Sequence, residues 1–282
     1  MNTQMTALEV LKAATGYLGK LGVENPRLNA EHLLAHVMGK GKRIDLYLEF
    51  DRPLGEQERA PLRELVRRRG DGEPLQHLLG SVEFCGHSFR CDRRGLIPRP
   101  ETEQLVEIVL KQSPNARTLL DIGTGSGVIA ASLALALPES SITACDISED
   151  ALALATENVI QHMLQNRITL IRSNLLEAIE GTFETIVTNL PYIPTGDIAS
   201  LSHEVQHDPL TALDGGSEGF DLIDRVIKTA LPHLTSSGLI AFEVGHDQAG
   251  RTCDMLAAHN YRDITAHADY QGIQRFVTAR HG

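Results

Sequence analysis

Thr118-Leu119-Leu120-Asp121-Ile122-Gly123-Thr124-Gly125-Ser126-Gly127 reads as a short apolar strand running into three glycines, and Val128-Ile129-Ala130-Ala131 opens a helix directly behind them. Glycines at a strand-to-helix turn let backbone N–H groups approach a ligand at a helix N-terminus. The next strand-like run ends at Asp146, where a carboxylate can accept both hydroxyls of a ribose. Loop and acid together indicate a nucleotide-like cofactor. Around them, strand-like runs at 118–123, 141–146, 167–172, 185–190, 238–245, 261–268 and 272–280 are mostly separated by helix-length segments. Such alternation implies an α/β fold, a mostly parallel sheet with helices on both faces. Only Asp269, Tyr270 and Gln271 separate the last two runs. That gap permits a hairpin but no parallel crossover, so the end strand is expected to be antiparallel.

Two cofactors compete for such a loop. The dinucleotide fingerprint GxGxxG needs a glycine at position 128, which is Val128; the spacing here is GxGxG, with Asp121 just ahead of it. That spacing favours S-adenosyl-L-methionine over NAD. The antiparallel end hairpin is similar to that of class I methyltransferases, whose Rossmann-like sheet has seven strands.

The run Thr185-Ile186-Val187-Thr188 leads into Asn189-Leu190-Pro191-Tyr192 at the carboxyl edge of the expected sheet. This tetrapeptide resembles the (N/D)PPY signature of methyltransferases that act on planar nitrogens. A nitrogen conjugated to an sp2 centre has a delocalised lone pair and is a poor nucleophile. A side-chain oxygen and the next backbone carbonyl can accept its two N–H bonds, orient it toward a methyl donor and stabilise developing charge. Tyr192 is expected to cover the flat face of the substrate. Leu190 stands where the signature has Pro, which keeps the carbonyl but loses the ring that directs it.

The chain of 282 residues is long enough for two domains. Its first 70 residues carry helical signals: a Thr6/Glu9 capping box, a second helix after Asn29, and a third from about Glu56 through Leu62, Leu65 and Val66. From Gly80 the texture changes to Ser81-Val82-Glu83-Phe84-Cys85-Gly86-His87-Ser88-Phe89-Arg90-Cys91, a β-hairpin pattern. The expected organisation is a helical bundle at 1–78, a β-hairpin linker at 79–97 and a methyltransferase domain at 98–282. Residues 1–100 hold 16 Lys+Arg against 13 Asp+Glu, whereas residues 101–282 hold 10 against 24. An acidic catalytic half is a poor general binder of nucleic acid. The dense run Arg67, Arg68, Arg69, with Arg63 one turn earlier, suits the C-terminal end of a helix.

Five segments in order extend the resemblance over nearly the whole chain: Glu73-Pro74-Leu75-Gln76-His77, the run from Ile97 to Glu103, the glycine loop, Asn189 to Ile193, and Ala212-Leu213-Asp214-Gly215-Gly216. Together they resemble the glutamine N5-methyltransferases of bacterial peptide chain release factors. The resemblance implies methylation of the glutamine in the Gly-Gly-Gln motif of class I release factors, in support of translation termination. The helical domain would help to hold the factor. Carried over by position, Asp121, Gly123, Thr124, Gly125, Ser126, Gly127, Asp146, Asn174 and Asn189 would contact the cofactor. Asn189, Leu190, Pro191 and Tyr192 would hold the glutamine, with Asn189 and Tyr192 catalytic. Asn174 stands where that family often has an aromatic beside the adenine. Arg99 and Glu101 would shape the active-site wall, with an interdomain ion pair as the alternative.

Other patterns point elsewhere. His203-Glu204-Val205-Gln206-His207 spells HExxH, yet Pro209 should stop any continuing helix, so no metal is expected and the segment reads as a loop over the substrate site. Cys85, Cys91, Cys145 and Cys253 form no CxxC pair and read as reduced, structural thiols. With no signal-peptide pattern and no membrane-length apolar run, a cytoplasmic location away from membranes is expected. Two rivals share the motifs: an adenine-N6 methyltransferase on DNA or RNA, which lacks a basic target-recognition region here, and a non-catalytic S-adenosylmethionine-binding adaptor, against which Asn189 and Tyr192 count.

Overall fold

A computed structural model describes residues 5–282, and its described residues form two compact units. Those up to Ser81 group with Ser202–His207, and Val82–Leu201 groups with Asp208–Gly282. The hairpin expected as a linker therefore belongs to the second unit, because Phe84 and Phe89 are fully buried in that unit's core. Residues 1–4 of the expected helical bundle lie outside the described residues.

The first unit contains helices α1 (Ala7–Lys20), α2 (Pro26–Val37), α3 (Glu56–Gly70) and α4 (Leu75–Leu79). At the start of α1 the Glu9 N–H donates to Thr6 Oγ1 at 3.3 Å and the Thr6 N–H to Glu9 Oε2 at 2.8 Å, a reciprocal cap. Helix α2 starts earlier than its sequence suggests, with Pro26 in its first turn after a left-handed Asn25. Asn29 resembles a cap but lies inside α2, where its Nδ2 donates to the Glu24 and Asn25 carbonyls and its Oδ1 accepts from Arg69 Nε at 2.7 Å. Leu11, Leu18, Leu33, Leu34, Leu46, Leu54 and Leu62 fill the core of this unit.

The basic end of α3 is neutralised locally. Arg67 pairs with Glu64 and Asp71, Arg68 with Glu73, and the nearly buried Arg69 with Glu204 at 2.7 Å. Through that last pair residues 202–207 pack with the helices of this unit. Val205–His207 is a single 3-10 turn, so the two histidines do not share an α-helical face.

The second unit begins at Val82 inside β1 (Ser81–Phe84), followed by β2 (His87–Arg90) and α5 (Pro100–Gln112). Then follow β3 (Thr118–Ile122), α6 (Val128–Ala136), β4 (Ser141–Asp146), α7 (Glu149–Gln161), β5 (Ile168–Arg172) and β6 (Phe183–Asn189). The chain ends with α8 (Asp221–Ala230), β7 (Leu234–Glu243), α9 (Ala249–Ala258), β8 (Tyr261–Ala268) and β9 (Gln274–His281). Strands β3 to β9 form one sheet in the order β5-β4-β3-β6-β7-β9-β8, in which β9 alone runs opposite to the other six.

Alternation along β3 explains the two layers. Leu119 packs with α5 and α6 residues such as Leu105 and Ile129, while Leu120 and Ile122 pack with α8 and α9 residues such as Ile223 and Leu256. Strand β7 starts four residues before its expected boundary. Thr235-Ser236-Ser237-Gly238 reads as a turn, yet the strand passes through it, with Ser237 at φ 61° and an irregular register against β6. The chain leaves β3 toward β4 and β5, then returns to β6 on the other side of β3. The carboxyl ends of β3 and β6 thus flank a topological switch point, where open α/β sheets form ligand crevices.

Candidate active site

The glycine loop is built over that switch point. The Gly123 and Thr124 N–H groups both donate to the Cys145 carbonyl at 2.9 Å, fastening the end of β3 to β4. Gly123, Gly125 and Gly127 have φ of 72°, 55° and 78°, a region where only glycine is unstrained. A side chain at Gly127 would stand 3.1 Å from Ala155 Cβ, whereas one at Gly125 would meet nothing within 4 Å. Gly127 therefore serves packing against α7, and Gly125 leaves open space over the loop. Fully buried Asn158 on α7 supports the turn from behind: its Nδ2 donates to the Ser126 carbonyl at 2.9 Å, and its Oδ1 accepts the Arg90 N–H at 2.7 Å.

A cleft lies over this loop. Gly123, Thr124, Gly125, Ser126, Asp146, Asn174, Asn189, Leu190, Pro191 and Arg99 all line it, so the structure brings together most of the residues singled out by sequence. Asp146 Oδ2 accepts the Gly125 N–H and its Oδ1 accepts the Ser148 N–H, each at 2.9 Å, which fixes the carboxylate at the end of β4. Ile147 next to it is 53% exposed and also lines the cleft, an apolar surface suited to a flat ring. Asn174 donates to Glu177 Oε1 at 2.8 Å.

Asp121, Tyr192 and Glu101 are placed differently. Asp121 has no exposure and does not line the cleft; its Oδ2 accepts the Thr124 hydroxyl at 2.6 Å and its Oδ1 is buried without a partner. Burial pushes that carboxyl up to about 7. Tyr192 lies outside the cleft lining, packs against the apolar core, and is pushed up to about 12 by burial and the Glu243 charge. Glu101 also stands outside the lining, in a surface recess with Gln104 and Tyr270.

Arg99 forms an ion pair within its own unit, 2.6 Å from Asp208. The interdomain alternative is therefore replaced by an internal one.

The Asn189–Tyr192 turn is held from two sides. Gln248 Nε2 donates to the Tyr192 carbonyl at 2.9 Å and the Gly219 carbonyl at 3.2 Å, and its Oε1 accepts the Gly245 N–H. Ile193 exchanges backbone hydrogen bonds with Leu213 and Gly215. A side chain at Gly215 would sit 2.7 Å from the Pro191 carbonyl, which explains the paired glycines after Asp214. Asn189 Nδ2 donates to Thr102 Oγ1 at 3.2 Å, while Asn189 Oδ1 accepts no hydrogen bond among the described residues. Thr102, Glu243, Gln248, Asn158 and Ile147 escaped the sequence reading. Only Glu243, an acid closing an apolar strand, carried a readable signal, because buried carboxylates are rare.

The first part of the chain, residues 9–80, matches the family described as PrmC N-terminal domain, and residues 100–218 match the Methyltransferase small domain. A release factor glutamine methyltransferase of Geobacter sulfurreducens is 41% identical over 279 residues, covering 98% of this chain and 97% of that protein. The chain belongs to the release factor glutamine methyltransferase family. A second member, from Rhodopirellula baltica, is 39% identical over 98% of this chain and 97% of its own length. Among solved structures, the hMettl16 catalytic domain in complex with the MAT2A 3'UTR hairpin 6 overlays with a TM-score of 0.57 at 17% identity, over 80% of this chain and 81% of that one. That likeness bears on the fold alone, which is that of the class I methyltransferases.

The donor set suits S-adenosylmethionine. Open space above Gly125, a backbone-anchored Asp146 and the exposed Ile147 offer, in turn, room for a backbone-close ligand, an acceptor for ribose hydroxyls and an apolar face for adenine. Among the described residues no group of three or more His, Cys, Asp or Glu is placed to hold a metal ion, and no helix is long and apolar enough to cross a membrane. All four cysteines are free thiols.

Proposed function

We propose that this chain methylates the side-chain amide nitrogen (N5) of the glutamine in the Gly-Gly-Gln motif of class I peptide chain release factors. S-adenosylmethionine supplies an electrophilic methyl on its sulfonium. Asp146 would hold the ribose hydroxyls, Gly123, Thr124, Gly125 and Ser126 would line the cofactor, with Gly127 packing the turn against α7, and Asn174 with Ile147 would flank the adenine. Asn189 Oδ1 and the Leu190 carbonyl would accept the two amide N–H bonds of the glutamine, turning its nitrogen toward the methyl. Pro191 and the ion-paired Arg99 would form the wall of the glutamine channel. Tyr192 would act from behind the turn, as a packed ring that holds the Asn189 backbone in place.

The single observation that carries this reading is the state of Asn189. Its Nδ2 is engaged with Thr102, which leaves its oxygen as an unoccupied acceptor on a residue that lines the cleft. An acceptor there suits an amide nitrogen, which brings two N–H donors, and does not suit a hydroxylate or carboxylate substrate.

The helical unit would contribute to holding the release factor. Its basic side chains at the end of α3 are paired with acids, which supports a protein rather than a nucleic-acid partner. Incubation of the protein with methyl-labelled S-adenosylmethionine, a class I release factor, DNA and RNA tests the assignment. Label is expected in the release factor glutamine; label in DNA or RNA, or in no acceptor, would overturn it.

A further inference from the structure

Glu243 closes β7 directly beside Asn189, its register partner at the end of β6. It is 3% exposed, and its Oε2 is buried without a hydrogen-bond partner. A buried carboxyl is costly to retain unless it has a task, because its desolvation is uncompensated. Thr102, itself buried and on the first turn of α5, accepts from Asn189 Nδ2 at its hydroxyl, which leaves its own proton for another acceptor, and the Glu243 carboxyl beside Asn189 has an oxygen with no donor.

A threonine hydroxyl has one proton. If Glu243 takes it, Thr102 can only accept toward Asn189, and the Asn189 amide must turn its NH2 inward. Its oxygen is then the edge left for the substrate. Without Glu243 the Thr102 proton is free to go to Asn189 Oδ1, which flips the amide and presents an NH2 to the incoming glutamine NH2, two donors face to face. We propose that Glu243 is a positioning residue that acts through Thr102 to hold the Asn189 amide with its oxygen toward the substrate.

The surroundings agree with this arrangement. Burial pushes Glu243 up to about 7, with hydrogen bonding from Thr102 and Asn189 and the Arg275 charge pulling the other way and Glu101 reinforcing the rise. Either protonation state of the carboxyl keeps an oxygen able to accept from Thr102. The function of Glu243 rests on the glutamine methylation proposed above, so its test must separate the two.

The test measures turnover on the release factor and S-adenosylmethionine affinity for Glu243→Leu, Thr102→Val, their double variant, Thr102→Ser and Asn189→Ala. Each of the first two is expected to lower kcat about 10²-fold, the scale of a misplaced reacting group, with cofactor Kd within about twofold of the parent. The double variant should be no worse than the poorer single one, since both act through one amide. Thr102→Ser keeps the hydroxyl and should recover most of the turnover.

Parent-level kcat in Glu243→Leu, or multiplicative losses in the double variant, would overturn the positioning role while a dead Asn189→Ala leaves the underlying function standing. Normal turnover in Asn189→Ala would remove its oxygen from the mechanism, and with it the role of Glu243, whereas a parent enzyme that leaves the release factor unlabelled would overturn the function itself. Should Glu243→Leu lose cofactor binding through misfolding, the contrast between Thr102→Val and Thr102→Ser still decides: equal turnover in the two would overturn the role.

Discussion

Arg99 Nη2 stands 2.6 Å from Asp208 Oδ2, and the other oxygen of that side chain accepts the Ile97 N–H at 3.1 Å. Asp208 has no side-chain exposure, so the two donors fasten the Ile97-Pro98-Arg99 segment, one wall of the cleft, to a point more than a hundred residues later in the chain.

Arg99→Ala should therefore destabilise the fold as well as slow catalysis. Breaking a fully buried pair costs about 3 to 5 kcal/mol, but Arg99 keeps a third of its side chain in solvent, which lowers the expectation to about 2 kcal/mol. Paired denaturant melts check it. Unchanged stability would mean that Asp208 is satisfied without the cation.

Asp146→Ala removes the acceptor for both the Gly125 and Ser148 N–H groups as well as for the ribose. Affinity for S-adenosylmethionine should fall by about 1.5 to 3 kcal/mol, the range of a charge-assisted hydrogen bond, with the fold retained. Calorimetric titration of parent and variant measures the loss. Equal affinity in the two would remove Asp146 from the site.

Asp121 gives a pH dependence whose sign follows from burial. Its ordinary value is 3.8 and the folded chain raises it to about 7. Between those values the unfolded chain has released the proton while the folded chain still binds it. Stability therefore falls as pH rises through that window and is flat above it. Asp121→Asn abolishes this slope, so the variant should gain stability relative to the parent between about pH 5 and about pH 8. Glu243 titrates in the same range but is common to both proteins and cancels. Denaturant melts of both proteins at the two pH values check it, and a constant difference would show that Asp121 is ionised in the folded state throughout.

Much of this arrangement was legible because it is local. The glycine loop, the acid ending β4, the Asn189 turn and the end hairpin are short patterns whose backbone demands a few residue types, and each stands where its pattern implied. What stayed hidden depends on long-range packing. The Thr102 hydroxyl is 87 residues from Asn189, and Gln248 is 56 residues from the Tyr192 carbonyl that it holds. No spacing along the chain announces such partners. Asp121 and Tyr192 show the converse: both lie within recognisable motifs, yet alternation on β3 turns Asp121 under the loop, and Tyr192 packs half-buried against the core. A motif locates the backbone that delivers a site; the direction of each side chain is set by the face on which it falls.

The most exposed expectation concerns Asn189 and Leu190. With Asn189 Oδ1 as one acceptor and the Leu190 carbonyl as the other, only the first can be deleted by mutation. Asn189→Ala should then lower kcat by about 10² to 10³, comparable with losing one preorganised catalytic hydrogen-bonding group, with a smaller effect on cofactor affinity. Leu190 has a second task, since it is 3% exposed and its Cδ2 lies 2.9 Å from where a Gly123 side chain would begin. Leu190→Pro keeps the carbonyl but withdraws those methyl groups from the glycine loop. It should thus retain most of the turnover while losing roughly 1 to 3 kcal/mol of stability. Replacing the target glutamine by glutamate should abolish methylation, because a carboxylate brings no N–H donors to two waiting acceptors and no nitrogen to receive a methyl. Steady-state kinetics on release factors carrying either residue, with thermal melts of each enzyme variant, measure all three effects. Near-parent turnover by Asn189→Ala would remove its oxygen from the mechanism, even with the release factor glutamine as the methylated residue.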